Sequence, residues 1–315
     1  MGDTVLNLRP TEMKGNDMPQ NGTHSISVIV ATRNRSAQLR ECLLRFAALD
    51  VSSLPAWEVI VVDNGSTDDT AKIIEAFQRQ NGELPLTCIF EPLPGVSAAR
   101  NAGIAVARYD ILAFTDDDCR VASSWLAAIQ RSFAADPAIV MVGGRVDLFD
   151  PEDYEIATRR FDDRFEVSTI DDMFTRLIGC NISISADAVR RAGLFDTAMG
   201  PGTSFNAGED HELFYRILKS GAKIVYNPDV RVEHAHGRRA SGEVQALKAN
   251  YVRGRATIFG KHIRAGDRDL IKRVYWELRA YLSSRQRPDG SKGSPELNSV
   301  GIYILSLVRS FLFLR

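Results

Sequence analysis

The chain has 315 residues, is 44% hydrophobic and 25% charged, and carries a formal net charge of −1. That length and apolar content support one large α/β domain or two smaller ones, and the balanced charge excludes holding nucleic acid by bulk electrostatics. Cys42, Cys88, Cys119 and Cys180 lie far apart without paired-metal spacing, and read as free thiols of a reducing compartment.

Residues 1–23 are polar and lack the apolar core of a signal peptide, so a disordered tail on a cytoplasmic protein is expected. From Ile26 the pattern alternates. Ile26 to Ala31 reads as a strand and Ser36 to Leu49 as an amphipathic helix. Glu58 to Val62 is a second apolar run ending in the turn sequence Asp63-Asn64-Gly65-Ser66, and Ser66 or Thr67 is expected to cap a helix through Gln80. Leu86 to Phe90, Ser97 to Arg108 and Ile111 to Phe114 continue as strand, helix and strand. A helix from Ser124 to Ala135 stops at Asp136-Pro137, before a strand from Ile139 to Val142. Alternating strands and helices predict a mostly parallel sheet with helices on both faces, where ligands bind outside the carboxyl ends of the strands. Thr32-Arg33-Asn34, Asp63 to Ser66 and Asp116-Asp117-Asp118 all fall at that edge.

The acidic run after Phe114 has two readings. Carboxylates crowded at the end of a buried strand repel each other, and a hard divalent cation, Mn²⁺ or Mg²⁺, would relieve that. Asp116 and Asp118, two apart on an extended stretch, would point the same way and share it. The alternative is a polar loop before the next helix, with Ser123 or Ser124 as N-cap. No glycine-rich phosphate loop is present, which disfavours dehydrogenases and P-loop enzymes.

Between Gly144 and Asp172 the pattern loosens. Gly179 to Ile184 then reads as a strand, and the glycine-rich stretch from Gly200 to Asn206 as a lid. It leads to Gly208-Glu209-Asp210 at the start of a helix whose stripe is Leu213, Phe214, Ile217 and Leu218. Lys223 to Tyr226 and Asp229 to Val232 are strand-like and precede His234 and His236, which would share a face. Between Arg238 and Lys292 stand fourteen Lys and Arg against five Asp and Glu, followed by the apolar stretch Val300 to Leu314, broken by Arg309. That stretch is short of the ~20 residues that cross a bilayer. It suits an anionic membrane surface, packing on the core, or a second subunit.

Together Ser27 to Arg35, Glu58 to Asp68, Gly95 to Gly103, Phe114 to Asp118, Gly193-Leu194-Phe195-Asp196 and Gly208-Glu209-Asp210 resemble the family 2 glycosyltransferases, over about residues 25 to 240. The resemblance implies a GT-A fold: a nucleotide-sugar half over 24–125, an acceptor half over 126–240, and a helical C-terminal extension over 241–315. It implies Ala31, Arg33, Asp63, Arg100, Asp116 and Asp117 as nucleotide-binding residues, Asp210 as catalytic base, and Asp118, Asp116 and His234 as ligands of Mn²⁺ or Mg²⁺. Asn181, Glu209, Trp125 and Phe205 are candidates for sugar or acceptor contacts. The expected reaction moves a sugar from a nucleotide-diphosphate donor, UDP-linked, to a saccharide or lipid-linked hydroxyl, with inversion. Residues 241–315 would meet the inner face of the membrane or a second copy of the chain. A sugar-1-phosphate nucleotidyltransferase and a non-catalytic sugar-nucleotide scaffold are the alternatives.

Overall fold

The computed structural model describes residues 24–283 and 296–314, so the expected tail over residues 1–23 lies outside the described residues. The elements follow in the order β1 (Ile26–Thr32), α1 (Ser36–Ala47), β2 (Trp57–Asp63), α2 (Thr70–Gln80), β3 (Leu86–Phe90), α3 (Val96–Val106), β4 (Ile111–Asp116), β5 (Cys119–Val121), α4 (Trp125–Ala134) and β6 (Ile139–Leu148). Then come β7 (Phe165–Glu166), α5 (Ile170–Arg176), β8 (Asn181–Ser185), α6 (Ala186–Ala192), α7 (Glu209–Lys219), β9 (Lys223–His234), α8 (Ser241–Arg264), α9 (Asp269–Ser283) and α10 (Glu296–Phe313).

One nine-stranded sheet runs in the order β3-β2-β1-β4-β8-β6-β9-β5, with β7 paired to β9. Strands β1 to β4 are parallel, as their near-continuous apolar runs predict. The period-2 alternation of a strand divides their side chains between two cores. Ile29, Ile60, Val62, Leu112 and Phe114 face α3, α6, α7 and α8. Val28, Val30, Val59, Val61 and Ala113 face α1, α2 and α4.

The expected parallel pairing recurs between β6 and β9 in the other half, where antiparallel strands join it. β8 is antiparallel to β4 and β6, and β5 and β7 are antiparallel to β9, while β6 and β9 are parallel. The strand expected over 139–142 continues to Leu148, and the two strands expected around Pro228 are one. Pro228 cannot donate to the ladder, and it falls where the β6–β9 register shifts, between the pairs Gly144–Asn227 and Arg145–Arg231. A Cβ on Gly144 would meet Val230 O at 2.1 Å, so this crossing requires glycine.

The strand order reverses at β1: β2 and β3 lie on one side and β4 on the other, which opens a crevice at the strands' carboxyl ends. The register Thr32–Asp63 and Ala31–Asp116 brings all three expected edge segments together there. Helix α2 begins three residues after the expected cap because Ser66 and Thr67 are used elsewhere. Ser66 Oγ accepts the Asn34 N–H (2.9 Å) and Thr67 N–H donates to Asn34 Oδ1 (2.6 Å), which ties the loop after β1 to the loop after β2.

The C-terminal helices pack on this domain. Ala256, Ile258 and Phe259 of α8 and Tyr303 of α10 are buried in the core beside α7. Gly208 and Gly254 set α8 against the start of α7, where a Cβ on Gly208 would meet Gly254 Cα at 2.8 Å. Among the described residues no helix is long and apolar enough to cross a membrane.

Candidate active site

A cavity of about 820 Å³ opens at the carboxyl ends of β1 and β4. Its wall includes Ala31, Arg33, Asn64, Arg100, Asp116, Asp117, Asp118, Glu209, Asp210 and His234. Most residues singled out in the sequence therefore surround one space. Asp63 is placed differently: its Oδ1 accepts the Ser66 N–H (2.8 Å), and Asn64 forms the wall beside it. Asn64 also fixes α3, since its Oδ1 accepts the Gly95 N–H (2.8 Å) while its amide reaches Glu91 O and Leu93 O.

Only Asp116 belongs to the extended strand. Asp117 and Asp118 form the turn into β5, so the expected single extended stretch is corrected to a strand end followed by a turn. Arg35 holds that turn: its Nη1 donates to Asp117 Oδ1 (2.9 Å) and Asp118 Oδ2 (2.7 Å). Thr32 Oγ1 donates to Asp117 Oδ2 (2.7 Å). Burial still pushes the Asp117 carboxyl up to about 6, against the pull of Arg35 and helped by Asp118.

Asp118 Oδ1 is buried and accepts no hydrogen bond, although His234 Nε2 lies 3.3 Å away. Such a carboxylate oxygen is costly unless a cation meets it. Burial opposes the charge of Asp118, but His234 and Arg35 hold its carboxyl well below the usual range. Burial also opposes a charged His234, yet the carboxylates of Asp118 and Asp116 hold its proton more tightly than an ordinary imidazole would. Donor atoms of Asp118, Cys119 and His234 lie within 4.8 Å of one another. The Cys119 thiol is pushed well up, by its contact with Cys180 and by burial, so it stays protonated. Asp118 Oδ1 and the His234 ring nitrogen fit a divalent cation that takes the place of the imidazolium proton, since only the neutral imidazole ligates a metal. Asp116, the other expected ligand, accepts from Arg100 Nη2 (3.1 Å) and stands outside this group. Of the two histidines, His234 faces the acidic turn, whereas His236 is turned towards Asp153, 3.7 Å away.

Arg100, 5% exposed, bridges the two halves. Its Nη1 donates to Glu209 Oε1 and its Nη2 to Asp116 Oδ1, both at 3.1 Å. Burial and the neighbouring Asp210 push Glu209 up to about 7, while Arg100 opposes them. Asp210 begins α7. Its Oδ2 accepts the Gly179 N–H (3.0 Å), its Oδ1 accepts the His211 N–H (2.7 Å), and His211 Nδ1 lies 3.0 Å from Oδ1. Burial raises the cost of its charge, but His211 and Arg100 outweigh that and keep it ionised.

Three aromatic or amide side chains expected at the sugar are packed elsewhere. Trp125 is fully buried, and its Nε1–H donates to Asn181 Oδ1 (2.9 Å). Asn181, also fully buried, donates its amide hydrogens to Arg145 O and Val230 O and so links β8 to β6 and β9. Neither reaches the cavity. Phe205 packs under the Arg309 guanidinium of α10, 5.0 Å from its ring centre. The loop from Gly200 does reach the cavity through Pro201, Gly202 and Asn206.

Residues that sequence reasoning missed include Arg35, His211, Arg159, Arg238 and the α8 face bearing Leu247, Asn250, Tyr251 and Arg255, all of which line the cavity. Arg35 ends one quoted motif and His211 adjoins another, which was the only local signal. The others come from distant segments that no spacing rule connects.

A family model described as Glycosyl transferase family 2 matches residues 27–197, more than half of the chain. The pre-mycofactocin glycosyltransferase of Mycobacterium tuberculosis is 29% identical over 272 residues, covering 82% of this chain and 51% of that protein. The chain thus spans about half the length of that relative. Glycosyltransferase AglE of Haloferax volcanii is 28% identical over 265 residues, 82% of this chain and 81% of that protein. Among solved structures, a mannosyltransferase from Pyrobaculum calidifontis in complex with GDP-Man and Mn²⁺ superposes with a TM-score of 0.60 at 18% identity, covering 94% of this chain and 90% of that one. GalNAc-T7 with UDP, GalNAc and Mn²⁺ gives a TM-score of 0.55 at 17% identity, over 77% and 51%. At these identities the superpositions show a shared fold, GT-A.

Proposed function

The chain belongs to glycosyl transferase family 2, and from that premise we propose that it moves a sugar from a UDP-linked donor to a hydroxyl of a saccharide or lipid-linked saccharide in one inverting displacement. The observation that carries this reading is the convergence of Asp118, His234, Arg100, Glu209 and Asp210 on one cavity at the switch point of the sheet.

In this reading Ala31, Arg33, Asn64 and Asp63 receive the nucleoside end of the donor at the edges of β1 and β2. Arg33 is exposed on the cavity wall, and its planar guanidinium suits stacking on a base. Asp118 and His234 would hold Mn²⁺, which one imidazole favours over Mg²⁺. The bound cation would supply positive charge to the departing nucleoside diphosphate. Arg100 keeps Asp116 and Glu209 in place around the sugar. Asp210, ionised and fixed by the Gly179 and His211 N–H groups, accepts the proton of the attacking hydroxyl at Oδ1 or Oδ2. A single base supports direct displacement with inversion.

Release of free UDP from a panel of UDP-sugars with Mn²⁺ tests the reading. Slow release that Asp210→Asn abolishes supports it. Binding without any release would instead favour the non-catalytic scaffold. Formation of a nucleotide sugar from a sugar 1-phosphate would favour the nucleotidyltransferase.

The proposed lipid-linked acceptor gains support from the outer face of α9 and α10. Ile271, Tyr275, Trp276, Leu305 and Phe313 are exposed there, and Arg268, Lys272 and Arg279 are exposed on or beside α9. Aromatic and basic side chains in this mixture match an anionic membrane surface. Sedimentation with phosphatidylglycerol vesicles but not with phosphatidylcholine vesicles is expected, and no sedimentation with either would remove the membrane proposal.

A further inference from the structure

The cavity continues past Asp210 into a lobe walled by Arg159, Arg238, Asn250, Tyr251 and Arg255. The charges in this lobe are unbalanced. On the donor side the half-exposed Arg35 is neutralised by Asp117 and Asp118, and the buried Arg100 by Asp116 and Glu209. In the lobe, Arg255 is paired with Glu277 (3.6 Å) and lies over the Phe174 ring. Arg159 and Arg238 have no carboxylate partner among the described residues.

Arg159 donates only to carbonyl oxygens, those of Leu177 (3.2 Å), Thr158 (2.7 Å) and Phe174 (3.3 Å). Burial lowers its affinity for its proton, in contrast to Arg35 and Arg100, which are raised by their carboxylates. Arg238 carries a buried Nη1 that has no hydrogen-bond partner at all. The nearby acids are already engaged. Asp153 accepts from Arg239 and the Gly237 N–H, Glu277 faces Arg255 and Arg273, and Asp210 accepts from Gly179 and His211. Arg159 feels the Asp210 carboxylate without bonding it and Arg238 is paired with none, so two guanidiniums in a partly desolvated lobe are short of counter-charge, which is costly unless an anion enters.

Resting on the transferase reading above, we infer that the lobe formed by Arg159, Arg238 and Tyr251 beside Asp210 binds an oxyanion of the acceptor, which therefore carries a phosphate or carboxylate group near the hydroxyl that is glycosylated. The planar fork of arginine matches either group through paired N–H donors. Tyr251 and Asn250 add a hydroxyl and an amide from α8. Placement beside the candidate base assigns this anion to the acceptor rather than to the donor diphosphate, which the cation at Asp118 and His234 would meet.

Calorimetric titration of the full chain, held in saturating UDP and Mn²⁺, tests this. The probes are glucose 6-phosphate, glucuronate and, as the neutral control, glucose. At least one anionic sugar should bind while UDP remains in place, and whichever of the two binds more tightly distinguishes phosphate from carboxylate. Arg238→Gln should weaken that binding about 10- to 100-fold, with UDP affinity changed less than about 2-fold, and Arg238→Lys should restore most of it. Because the Arg238 side chain bonds to no neighbour at Nη1, the Gln variant is expected to fold, which its unfolding midpoint checks. Anionic sugars binding no better than glucose, anions competing with UDP, or a parallel loss of UDP affinity in Arg238→Gln would each overturn the inference. If no nucleotide binds but glucose 6-phosphate does, and Arg238→Gln abolishes it, the transferase reading falls and the anion site stands.

Discussion

Glu212 sits on the helix that carries Asp210, and replacing it with Gln isolates one buried charge. Glu212 is fully buried, and its carboxylate accepts from Arg216 Nε (3.1 and 3.0 Å), Arg216 Nη2 (2.8 Å), Lys261 Nζ (2.8 Å) and His262 Nε2 (3.1 Å). These bonds join α7 to α8. Arg216 extends the link to the carbonyls of Ala192, Gly193 and Leu194, and Lys261 to Asp196. Burial opposes the charge of Glu212, but His262, Arg216 and Lys261 together hold its carboxyl well below the usual range. Gln keeps the shape and one acceptor oxygen, but it turns an amide towards donors and leaves Arg216 and Lys261 undercompensated. Breaking a buried pair in this way costs about 3–5 kcal/mol, or roughly 6–20 °C in midpoint at about 2–4 °C per kcal/mol. Thermal unfolding followed by circular dichroism at pH 7.5 measures it. The depressed folded value makes this contribution present above the unfolded value of about 4.3 and lost as pH falls below it, so the gap between wild type and variant should close in acid. A loss under about 1 kcal/mol at pH 7.5 would refute the argument that this network holds α7 on α8.

Three further substitutions probe the cavity. Asp117→Asn should stabilise the metal-free protein at pH 8 by about 2–3 kcal/mol, because a carboxyl raised from near 3.9 to about 6 costs stability increasingly as pH rises between those values; chemical denaturation in EDTA at pH 4 and pH 8 would contradict this if the variant were weaker at pH 8. Asp210→Asn should lower kcat about 10²- to 10⁴-fold while leaving the donor KM nearly unchanged, as steady-state kinetics would report. A Cβ on Gly179 would sit 2.8 Å from Asp210 Oδ2, so Gly179→Ala should displace the base and reduce kcat at least about tenfold with an unfolding midpoint near that of wild type; an unchanged kcat would show that Asp210 does not need this position.

The sheet half from β1 to β4 could be read in the sequence because buried parallel strands are continuous apolar runs ended by Asp, Asn and Gly turns. The half from β6 to β9 was harder. Antiparallel β8 enters between β4 and β6, and the β6–β9 register shift beside Pro228 splits one strand into two apparent ones. The acidic turn was visible, but its geometry was not, since Asp117 and Asp118 depend on Arg35 and His234 for their orientation. Trp125 and Asn181 lie in the core rather than on the cavity wall for a packing reason: an indole N–H and an amide can satisfy each other inside a core as readily as they can meet a ligand. Arg159 and Arg238 carried no signal at all, because they become neighbours only when α8 closes over the cavity.

The most direct measurement is the unfolding midpoint with UDP, GDP and CMP, each with and without Mn²⁺, for wild type, Asp118→Ala and Asp210→Asn. A ligand bound by the native state alone raises the midpoint. The account predicts a Mn²⁺-dependent rise with one nucleotide, UDP, that disappears in Asp118→Ala and persists in Asp210→Asn. No rise with any nucleotide, or a rise that survives Asp118→Ala unchanged, would contradict it.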